Sequence, residues 1–404
     1  LKVLPLFIFD PEILDDLNNR SDARLQFIHQ ELEQINADLK SKGSRLFVFH
    51  DDVEKAFENL LQSYEIDAVY CNCDYEPYAI QRDEKVKELL EKNGVKLKSY
   101  KDQVIYEKDD ILKADGSPYL VYTPYSKQWL KAVEKQEIKV YSSALRFENW
   151  VQSDWKSIIS LEQMGFKKTD IEFSSRLLKE QTLNGYAEER NSPVKDSTSR
   201  LGIHLRFGTV SVRQIVKQAA KHSEVFLKEL IWREFFMMIL YHYPKVVDQN
   251  FNSKYDGLQW RNKEEEFERW CNGETGYLMV DAGMKELNKT GFMHNRVRML
   301  VASFLCKHLL IDWRWGEAYF AEKLLDYELS SNNGNWQWAA GTGVDAAPYF
   351  RIFNPMTQLE KFDPNHIYVK RWLGEQYVSR SIEPMVDHKA ARERALETYK
   401  SALK

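Results

Sequence analysis

Residues 275–299 read TGYLMVDAGMKELNKTGFMHNRVRM, and residues 326–355 read DYELSSNNGNWQWAAGTGVDAAPYFRIFNP. Both stretches carry Asn, Gly and Arg, and the second also carries Trp, at places where a buried helix would ordinarily carry Leu. Trp offers a flat apolar surface, while Arg and Asn bind anionic and amide groups. The two stretches therefore indicate either a polar-lined helical core with structural tryptophans or a site where a planar ligand meets an anionic one. Composition alone leaves both interpretations open.

Spacing on two predicted helices brings four different side chains together. Asn295 and Met299 are four residues apart, and Glu229 and Trp232 are three apart. Residues at these spacings share one face of a helix. Two helices can thus present a carboxyl, an amide, a thioether and an indole to a single pocket.

The chain divides into three regions by its pattern. At 404 residues it exceeds the size at which one hydrophobic core usually stops growing, so two domains are expected. Residues 1–100 alternate short apolar strands with charged helical stretches, which predicts an α/β domain with a parallel sheet. Residues 101–168 are irregular, with a turn signal at Thr123-Pro124, and predict a long linker. Residues 169–404 predict an all-helical domain.

Two helical segments carry more specific expectations. The apolar residues of 297–309 recur at the 3.6-residue period and predict one buried helical face. The charged C-terminal stretch from Asp387 is expected to be a solvated helix. The α/β region shows neither a G-x-G-x-x-G motif nor a Walker loop, so its sequence does not predict a binding site for a dinucleotide or a triphosphate.

Composition excludes several classes of protein. No apolar run approaches the roughly 20 residues that span a bilayer, and the opening LKVLPLFIFD does not resemble a secretory signal. We therefore expect a cytoplasmic protein that is not embedded in a membrane. Four scattered cysteines lack the ligand spacing of a zinc site, so no metal is predicted. They are Cys71, Cys73, Cys271 and Cys306.

The net charge disfavours binding to nucleic acid, whereas the aromatic content is compatible with binding bases or a flavin. The net charge is −4 and the pI is about 6.2, whereas nucleic-acid-binding domains commonly have a pI above about 9. A local basic patch on an acidic molecule can still bind DNA. The chain holds 11 Trp, 21 Tyr and 21 Phe, enough to supply stacking surfaces for bases or a flavin as well as a core.

Six segments, in order, resemble the photolyase and cryptochrome family. They are TSRLG (198–202), ELIWREFF (229–236), MHNRVRM (293–299), DWRWGE (312–317), NNGNWQW (332–338) and FNPMTQLEKFDP (353–364). The resemblance covers essentially the whole chain and is closest to the class I cyclobutane pyrimidine dimer photolyases. It implies an α/β domain, a long linker and a helical domain that holds FAD in a folded conformation.

The resemblance assigns a set of residues to FAD. Tyr186 and the 198–202 loop match the segment that holds the diphosphate, with Gly202 where many relatives have Ser. Asn332 matches the residue that faces flavin N5, and Glu328 stands where the family usually has Asp near N3. The full implied set is Tyr186, Thr198, Ser199, Arg200, Leu201, Gly202, Arg298, Asp326, Glu328 and Asn332.

A second set matches the pocket that takes a pyrimidine dimer flipped out of damaged DNA. The resemblance implies that the indoles stack on the pyrimidines and that a protonated Glu229 donates to their carbonyls. Arginine and lysine side chains would grip the surrounding phosphates. The set is Arg190, Glu229, Trp232, Asn295, Arg296, Met299, Trp338, Arg351, Gln358 and Lys361.

The implied chemistry is light-driven electron transfer. Excited reduced FAD passes an electron to the dimer, which opens and returns it, with Glu229 and Asn332 assisting. Trp260, Trp313 and Trp336 match the three-tryptophan chain by which the family photoreduces oxidised flavin. Each tryptophan taken alone would be read as core.

Two alternatives within the family remain. A cryptochrome, a blue-light signalling flavoprotein, would be expected to lose Trp232 or Glu229, to change Asn332, and often to add a long tail. An enzyme for six-four photoproducts would carry paired histidines where this chain has Asn295 and Met299. The sequence favours dimer repair over both, and a monomer is expected.

The N-terminal region departs from the family in two ways. The chain begins on what should be the second strand, so we expect the sheet to lack its first strand and helix. Tyr78 and Ala79 stand where some relatives carry the Asn-Glu pair that binds a folate antenna, which disfavours folate in that mode. The identity of any antenna chromophore stays open.

Overall fold

The computed structural model describes residues 1–141, 147–378 and 383–403. The chain forms a small parallel α/β unit and a larger helical unit, as the sequence predicts. The strands are β1 (Leu6–Phe9), β2 (Phe47–His50), β3 (Ala68–Asn72) and β4 (Lys96–Tyr100). The helices are α1 (Pro11–Asp15), α2 (Ala23–Lys40), α3 (Val53–Ser63), α4 (Pro77–Lys92), α5 (Tyr122–Lys135), α6 (Glu180–Glu189), α7 (Gly202–Arg206), α8 (Val212–His222), α9 (Glu224–His242), α10 (Glu264–Asn272), α11 (Leu278–Thr290), α12 (Asn295–Ser303), α13 (Trp313–Lys323), α14 (Leu329–Ala340), α15 (Pro355–Phe362), α16 (Ile367–Leu373), α17 (Glu375–Val378) and α18 (His388–Ala402).

The strands of the α/β unit pair in parallel. Among the described residues, β1 pairs with β2 and β3 with β4, as two separate two-stranded sheets. All four strands are short, and β1 and β2 are rich in aromatic or β-branched residues, which favour a pleated, half-buried surface. Asp22 and Asp52 cap the helices α2 and α3 by accepting hydrogen bonds from first-turn amides. These features match the predicted βαβ rhythm.

Residue contacts divide the chain into two compact units. The predicted linker, residues 101–168, contributes to both. The smaller unit holds 1–105, 138–173 and 207–214, and the larger holds 106–137, 174–206 and 215–404. Within the described residues, no helix is both long enough and apolar enough to cross a bilayer.

The expectation of an irregular linker is wrong at one place, where α5 spans Tyr122–Lys135. Thr123-Pro124 indicates a turn in sequence, yet both residues lie in the first turn of this helix. Proline is tolerated there because the first-turn amides have no partner within the helix. Trp129 and Tyr125 of α5 are buried and hold the helix against the larger unit.

The predicted single helix over 297–309 is also corrected. The α-helix α12 ends at Ser303, and Phe304–Leu309 continue as a π-helix. All six residues of the π-helix are buried, including Lys307 and His308. Because the π-helix turns through more residues, it carries polar side chains into the core that the 3.6-residue period would place elsewhere.

The stretch from Asp387 is expected from its sequence to be a solvated helix, and this expectation is wrong, because the C-terminal helix α18 is partly buried. Ala391, Ala395 and Tyr399 are buried. Tyr399 lies under the ammonium of Lys307, with Nζ 3.7 Å from the ring centroid. One face of α18 therefore packs on the π-helix, where Arg394 also donates to the carbonyl oxygen of His308 at 2.6 Å, while its other charged residues face outward.

Candidate active site

The start of α12 and the turn before α14 meet through an ion pair. Arg298 Nη2 donates to both carboxylate oxygens of Asp326, at 3.0 and 3.2 Å. Arg298 Nε also donates to the carbonyl oxygen of Met293 at 2.7 Å, which fixes the guanidinium plane. About a quarter of each side chain is exposed. The pair is thus oriented within the protein and still open on one side to a ligand.

Gly202 lies directly against Asp326. A Cβ atom at position 202 would stand 2.5 Å from Asp326 Oδ2 and 2.6 Å from its Cβ, closer than side chains can approach. The glycine therefore allows α7 to begin against the carboxylate that Arg298 holds. Sequence comparison presents Gly202 as a lost hydroxyl contact, whereas the structure shows that the position has no room for a serine side chain.

The 198–202 loop lies near the same ion pair. Arg200 adopts a left-handed conformation with φ of 51° and donates from Nε to Asp196 at 2.9 Å. Its guanidinium lies 4.6 Å from the ring centroid of Phe292, and that of Arg298 lies 5.8 Å from the same ring. Ser199 Oγ accepts from the amide of Leu201 at 3.4 Å, and Thr198 is half-buried. Two arginines thus converge on one side of this loop.

His294 adds a buried donor beside these arginines. Its Nδ1 accepts from the amide of Arg296 at 3.1 Å, which places the imidazole proton on Nε2. Burial, with Arg298, Arg296 and Arg200 nearby, lowers the pKa of His294 to about 4, so the ring is neutral. Among the described residues, Nε2 has no hydrogen-bond partner. A buried N–H without an acceptor is costly, so this site suits a ligand rich in acceptors.

Asn332 on α14 has a fixed orientation. Its Nδ2 donates to Glu317 Oε1 at 2.8 Å and to the carbonyl oxygen of Glu317 at 3.1 Å. Burial raises the pKa of Glu317, and the hydrogen bond from Asn332 opposes that rise. Since both protons of Nδ2 point towards Glu317, the amide presents Oδ1 in the other direction.

Glu328 caps the helix that carries Asn332. Its carboxylate accepts hydrogen bonds from the amides of Ser330 and Ser331 at 2.9 Å and from both serine hydroxyls at 2.7 Å. The carboxylate is therefore fully engaged at the N-terminus of α14, where negative charge is favourable. Its predicted contact with the flavin stays a prediction.

Arg190 and Glu229 form an ion pair at the second predicted site. Arg190 Nη1 donates to Glu229 Oε1 at 2.5 Å, with 28% and 32% of the two side chains exposed. Burial raises the pKa of Glu229, while the charge and hydrogen bond of Arg190 lower it; the net direction is upward. Tyr186 lies next to them, 5.6 Å from the Arg190 guanidinium, and burial raises its pKa to about 12.

Trp232 follows Glu229 by one helical turn on α9, as predicted. Its indole stacks on Tyr122, with ring centroids 3.6 Å apart and planes 5° apart. The ring of Phe236 lies 5.5 Å away at 28°. Trp232 is only half-buried, so part of the indole remains open.

Arg296 lies close to other residues of the predicted DNA-binding set. It donates to Asn191 Oδ1 at 2.5 Å and lies 3.8 Å from the sulfur of Met299. Its guanidinium is 4.6 Å from the ring of Phe362, and the ammonium of Lys361 is 5.3 Å from that ring. Burial, and next the positive charge of Arg190, lower the pKa of Arg296, so the two cations are near each other. Cations are thus gathered beside Glu229, despite the acidic net charge.

The other predicted contact residues are more dispersed. Asn295 and Arg351 are exposed, and Gln358 is half-buried. Trp338 is half-buried and packs against the main helical core. Among the described residues, no hydrogen bond, ion pair or ring contact joins these four to the ion pair of Arg190, so their part in one pocket stays a prediction.

The three predicted redox tryptophans share one hydrophobic core. Trp313 and Trp336 are buried, and Trp260 is partly buried against the same cluster. Gly316 allows this packing, since a Cβ there would stand 2.1 Å from Trp336 Cη2. Trp313 Nε1 donates to Asn250 at 2.9 Å, which satisfies the indole in the core.

The structure adds residues that sequence reasoning missed. Tyr122 lies in a segment read as linker, and Glu317 falls within the recognised DWRWGE segment without a role. His294 and Phe362 likewise lie inside recognised segments. No local pattern distinguishes them, because their contacts join distant parts of the chain.

Comparison with known proteins supports this picture. Residues 1–142 match the family described as DNA photolyase, and residues 226–380 match the FAD binding domain of DNA photolyase. The deoxyribodipyrimidine photo-lyase of Alkalihalophilus pseudofirmus is 36% identical, covering 99% of this chain and 91% of that protein. The Escherichia coli K12 deoxyribodipyrimidine photo-lyase is 33% identical, covering 100% and 93%.

Solved structures give the same result. A bacterial class III photolyase from Agrobacterium tumefaciens superposes with a TM-score of 0.86 at 32% identity, covering 100% of this chain and 92% of that one. An archaeal photolyase from Sulfolobus tokodaii, solved with two FAD molecules, gives 0.80 at 35%, covering 99% and 94%. A Synechocystis cryptochrome gives 0.81 at 25%, covering 98% and 93%.

The fold is that of the photolyase and cryptochrome class of flavoproteins. Within that class, the chain belongs to the DNA photolyase family. It is an enzyme of the photolyase type with FAD as its cofactor, as the sequence predicts. The converging arginines, the close approach at Gly202 and the buried donor on His294 fit an anionic, acceptor-rich cofactor of this kind.

Proposed function

We propose that the protein repairs cyclobutane pyrimidine dimers in DNA, using light and reduced FAD. The observation that carries this proposal is the cluster of Glu229, Trp232, Arg190 and Arg296. A carboxyl with a raised pKa and a half-open indole lie next to two cations. Such a cluster offers a flipped-out pyrimidine pair a hydrogen-bond donor and a stacking surface, with phosphate contacts beside them.

Glu229 is proposed to act as a proton-bearing group. In the DNA-free protein, Arg190 pairs with its carboxylate. If Arg190 turns to a DNA phosphate, the remaining burial favours the neutral carboxylic acid. The acid then donates to a pyrimidine carbonyl, where it stabilises the negative charge that develops during ring opening.

The cofactor side is proposed to use the residues that resemblance assigned. Arg200 and Arg298 would offset phosphate or flavin charge, and Asn332 would direct Oδ1 towards a flavin N–H. Tyr186 and the hydroxyls of Thr198 and Ser199 would add donors. When bound and reduced, FAD supplies an electron to the dimer after absorbing light and takes it back after ring opening. The protein positions the two partners and excludes water between them.

Trp336, Trp313 and Trp260 are proposed to carry electrons from the surface to the core. The shared cluster supports this because the first two are buried and the third reaches the edge. This route would restore reduced FAD and is separate from repair itself.

A blue-light signalling role is the second candidate, because the Synechocystis cryptochrome has nearly the same fold. Glu229, Trp232 and Asn332 favour repair over signalling. Asn295 and Met299, instead of paired histidines, disfavour six-four photoproducts.

The test is loss of dimers from irradiated oligothymidylate under reductant, in the dark and after blue light, with bound flavin followed by absorbance. Light-dependent loss supports the proposal. Bound, photoreducible flavin without loss of dimers would favour the signalling role. Glu229→Leu should remove repair while retaining FAD, and Lys92→Gln on the exposed side of α4 serves as a matched control.

A further inference from the structure

Tyr122, the first residue of α5, stacks on Trp232 with almost parallel rings. We propose that Tyr122 is a positioning residue that forms the back wall of the lesion pocket. It fixes the plane of the Trp232 indole and covers one of its faces, so that a pyrimidine can approach only from the other side or from the open edge. This inference rests on the proposed function and adds a residue from the predicted linker to the substrate site.

Tyr122 is firmly held in place. Its hydroxyl donates to the carbonyl oxygen of Lys228 at 2.7 Å, and its amide donates to Asp345 Oδ2 at 3.0 Å. Its ring meets the fully buried Phe235 edge-on, with centroids 5.9 Å apart. Only 8% of Tyr122 is exposed. A residue whose hydroxyl and backbone amide are both hydrogen-bonded, and whose ring packs on the core, forms a fixed wall.

The stacking distance decides which side of Trp232 can bind substrate. Rings 3.6 Å apart are in van der Waals contact, so no third ring fits between them. A pyrimidine must therefore approach from the other side or from the open edge. Glu229 lies one turn earlier on the same helix, and a third of its side chain is exposed. The open part of the indole and this carboxyl can thus serve one ligand.

Asp345 connects Tyr122 to the segment that carries Arg351, a predicted phosphate contact. It accepts from the first amide of α5 and adopts a left-handed conformation with φ of 46°. Six residues later the same segment reaches Arg351, which is exposed and predicted to hold a phosphate. The start of α5 therefore links the stacking surface with the segment that carries this arginine.

The test compares dark binding of dimer-containing and undamaged oligothymidylate by Tyr122→Leu, Tyr122→Phe and the wild type. Loss of the ring should weaken dimer binding about five- to tenfold, since stacked aromatic pairs contribute on this scale. Binding of undamaged strand, FAD content and repair per bound dimer should change less than about twofold. Tyr122→Phe keeps the ring and should restore the preference for dimers.

Tyr119→Leu is the matched control, because Tyr119 contacts Tyr125 of α5 without touching Trp232. A merely structural role would lower binding of both oligomers and shift the unfolding midpoint. If Tyr122→Leu does not fold, Tyr122→Met, which fills the space without a flat ring, replaces it. If a variant without the ring keeps its preference for dimer-containing over undamaged oligothymidylate, or binds dimers more tightly, this inference is overturned while the proposed function still stands. A wild type without preference for dimers would overturn the proposed function as well.

Discussion

Asn332 Nδ2 lies 2.8 Å from Oε1 of Glu317 and 3.1 Å from its carbonyl oxygen. One residue of α13 thereby fixes the amide of a residue on α14. An amide can rotate by half a turn and exchange its donor with its acceptor. The Glu317 side chain removes this freedom, so Oδ1 is available as an acceptor on the other side.

We expect Glu317→Leu to lower the reduction potential of bound FAD. Without the Glu317 carboxylate, only the backbone carbonyl of residue 317 still holds the Asn332 amide. The amide can then turn its donor towards a reduced flavin N–H more easily, which disfavours the reduced state. Glu317→Gln, which keeps an acceptor oxygen, should stay closer to the wild type. The measurement is a spectroscopic redox titration, and equal potentials in all three proteins would contradict the expectation.

Gly202→Ser is expected to reduce FAD content strongly, although many relatives carry Ser there. The new Cβ would collide with Asp326 and displace the carboxylate from Arg298. The ratio of flavin to protein after purification measures this effect. Gly257→Ser controls for general loss of folding, because a Cβ at this exposed position meets no atom within 4 Å and the backbone φ is not positive. Full flavin content in Gly202→Ser would show that Asp326 can move without cost.

Arg190→Gln should change both the salt and the pH dependence of dimer binding. Losing one phosphate contact should reduce the slope of log K against log salt by about 0.7 to 0.9. Removing the nearby cation should also raise the pKa of Glu229 further. Because the protonated acid is the donor, binding falls as pH rises through this pKa, and the fall should move to higher pH. A slope and pH profile identical to the wild type would exclude Arg190 from the pocket.

We expect the fold to be sensitive to acid because His308 is buried and neutral. Its Nε2 lies 2.9 Å from Nδ1 of His388, and burial, with His388 and Arg394 nearby, lowers the pKa of His308 to about 3. The unfolded chain binds a proton near pH 6.5 and the folded chain only near 3, so stability falls as pH decreases between these values.

The unfavourable protonation of His308 should by itself lower the free energy of unfolding by about 2 kcal/mol between pH 7 and pH 5. Urea unfolding of the wild type and of His308→Gln, which cannot be protonated, measures the difference. Equal losses in both proteins would show that another group controls the acid response.

Trp313→Phe should block photoreduction of oxidised FAD but leave repair intact once the flavin has been reduced chemically. A phenylalanine keeps most of the core volume, although it leaves Asn250 without its indole donor. Transient absorption after a light pulse follows photoreduction, and loss of dimers under reductant follows repair. Trp270→Phe, in the same core but outside the predicted chain, is the control. Normal photoreduction in Trp313→Phe would remove this residue from the route.

Local patterns in the sequence predicted the fold class and the main helices of the site. The pairs Asn295 and Met299, and Glu229 and Trp232, each lie on one helix as their spacing predicts, because helical period depends only on neighbours in sequence. The six ordered segments identify the family. Their polar and aromatic residues by themselves are compatible with a ligand site or with a polar-lined core, and the flavin follows only from the family resemblance.

Tertiary structure alone decided how these residues are held. Tyr122 reaches Trp232 across more than a hundred residues, and Arg190 reaches Glu229 across 39. The local sequence hides such contacts because packing between distant segments, and not propensity, creates them. The same holds for Gly202, which resembles a lost hydroxyl in sequence but is required by the close approach of Asp326. The sequence by itself determined which chemical groups are present, and the packing of the helices determined which of them face each other.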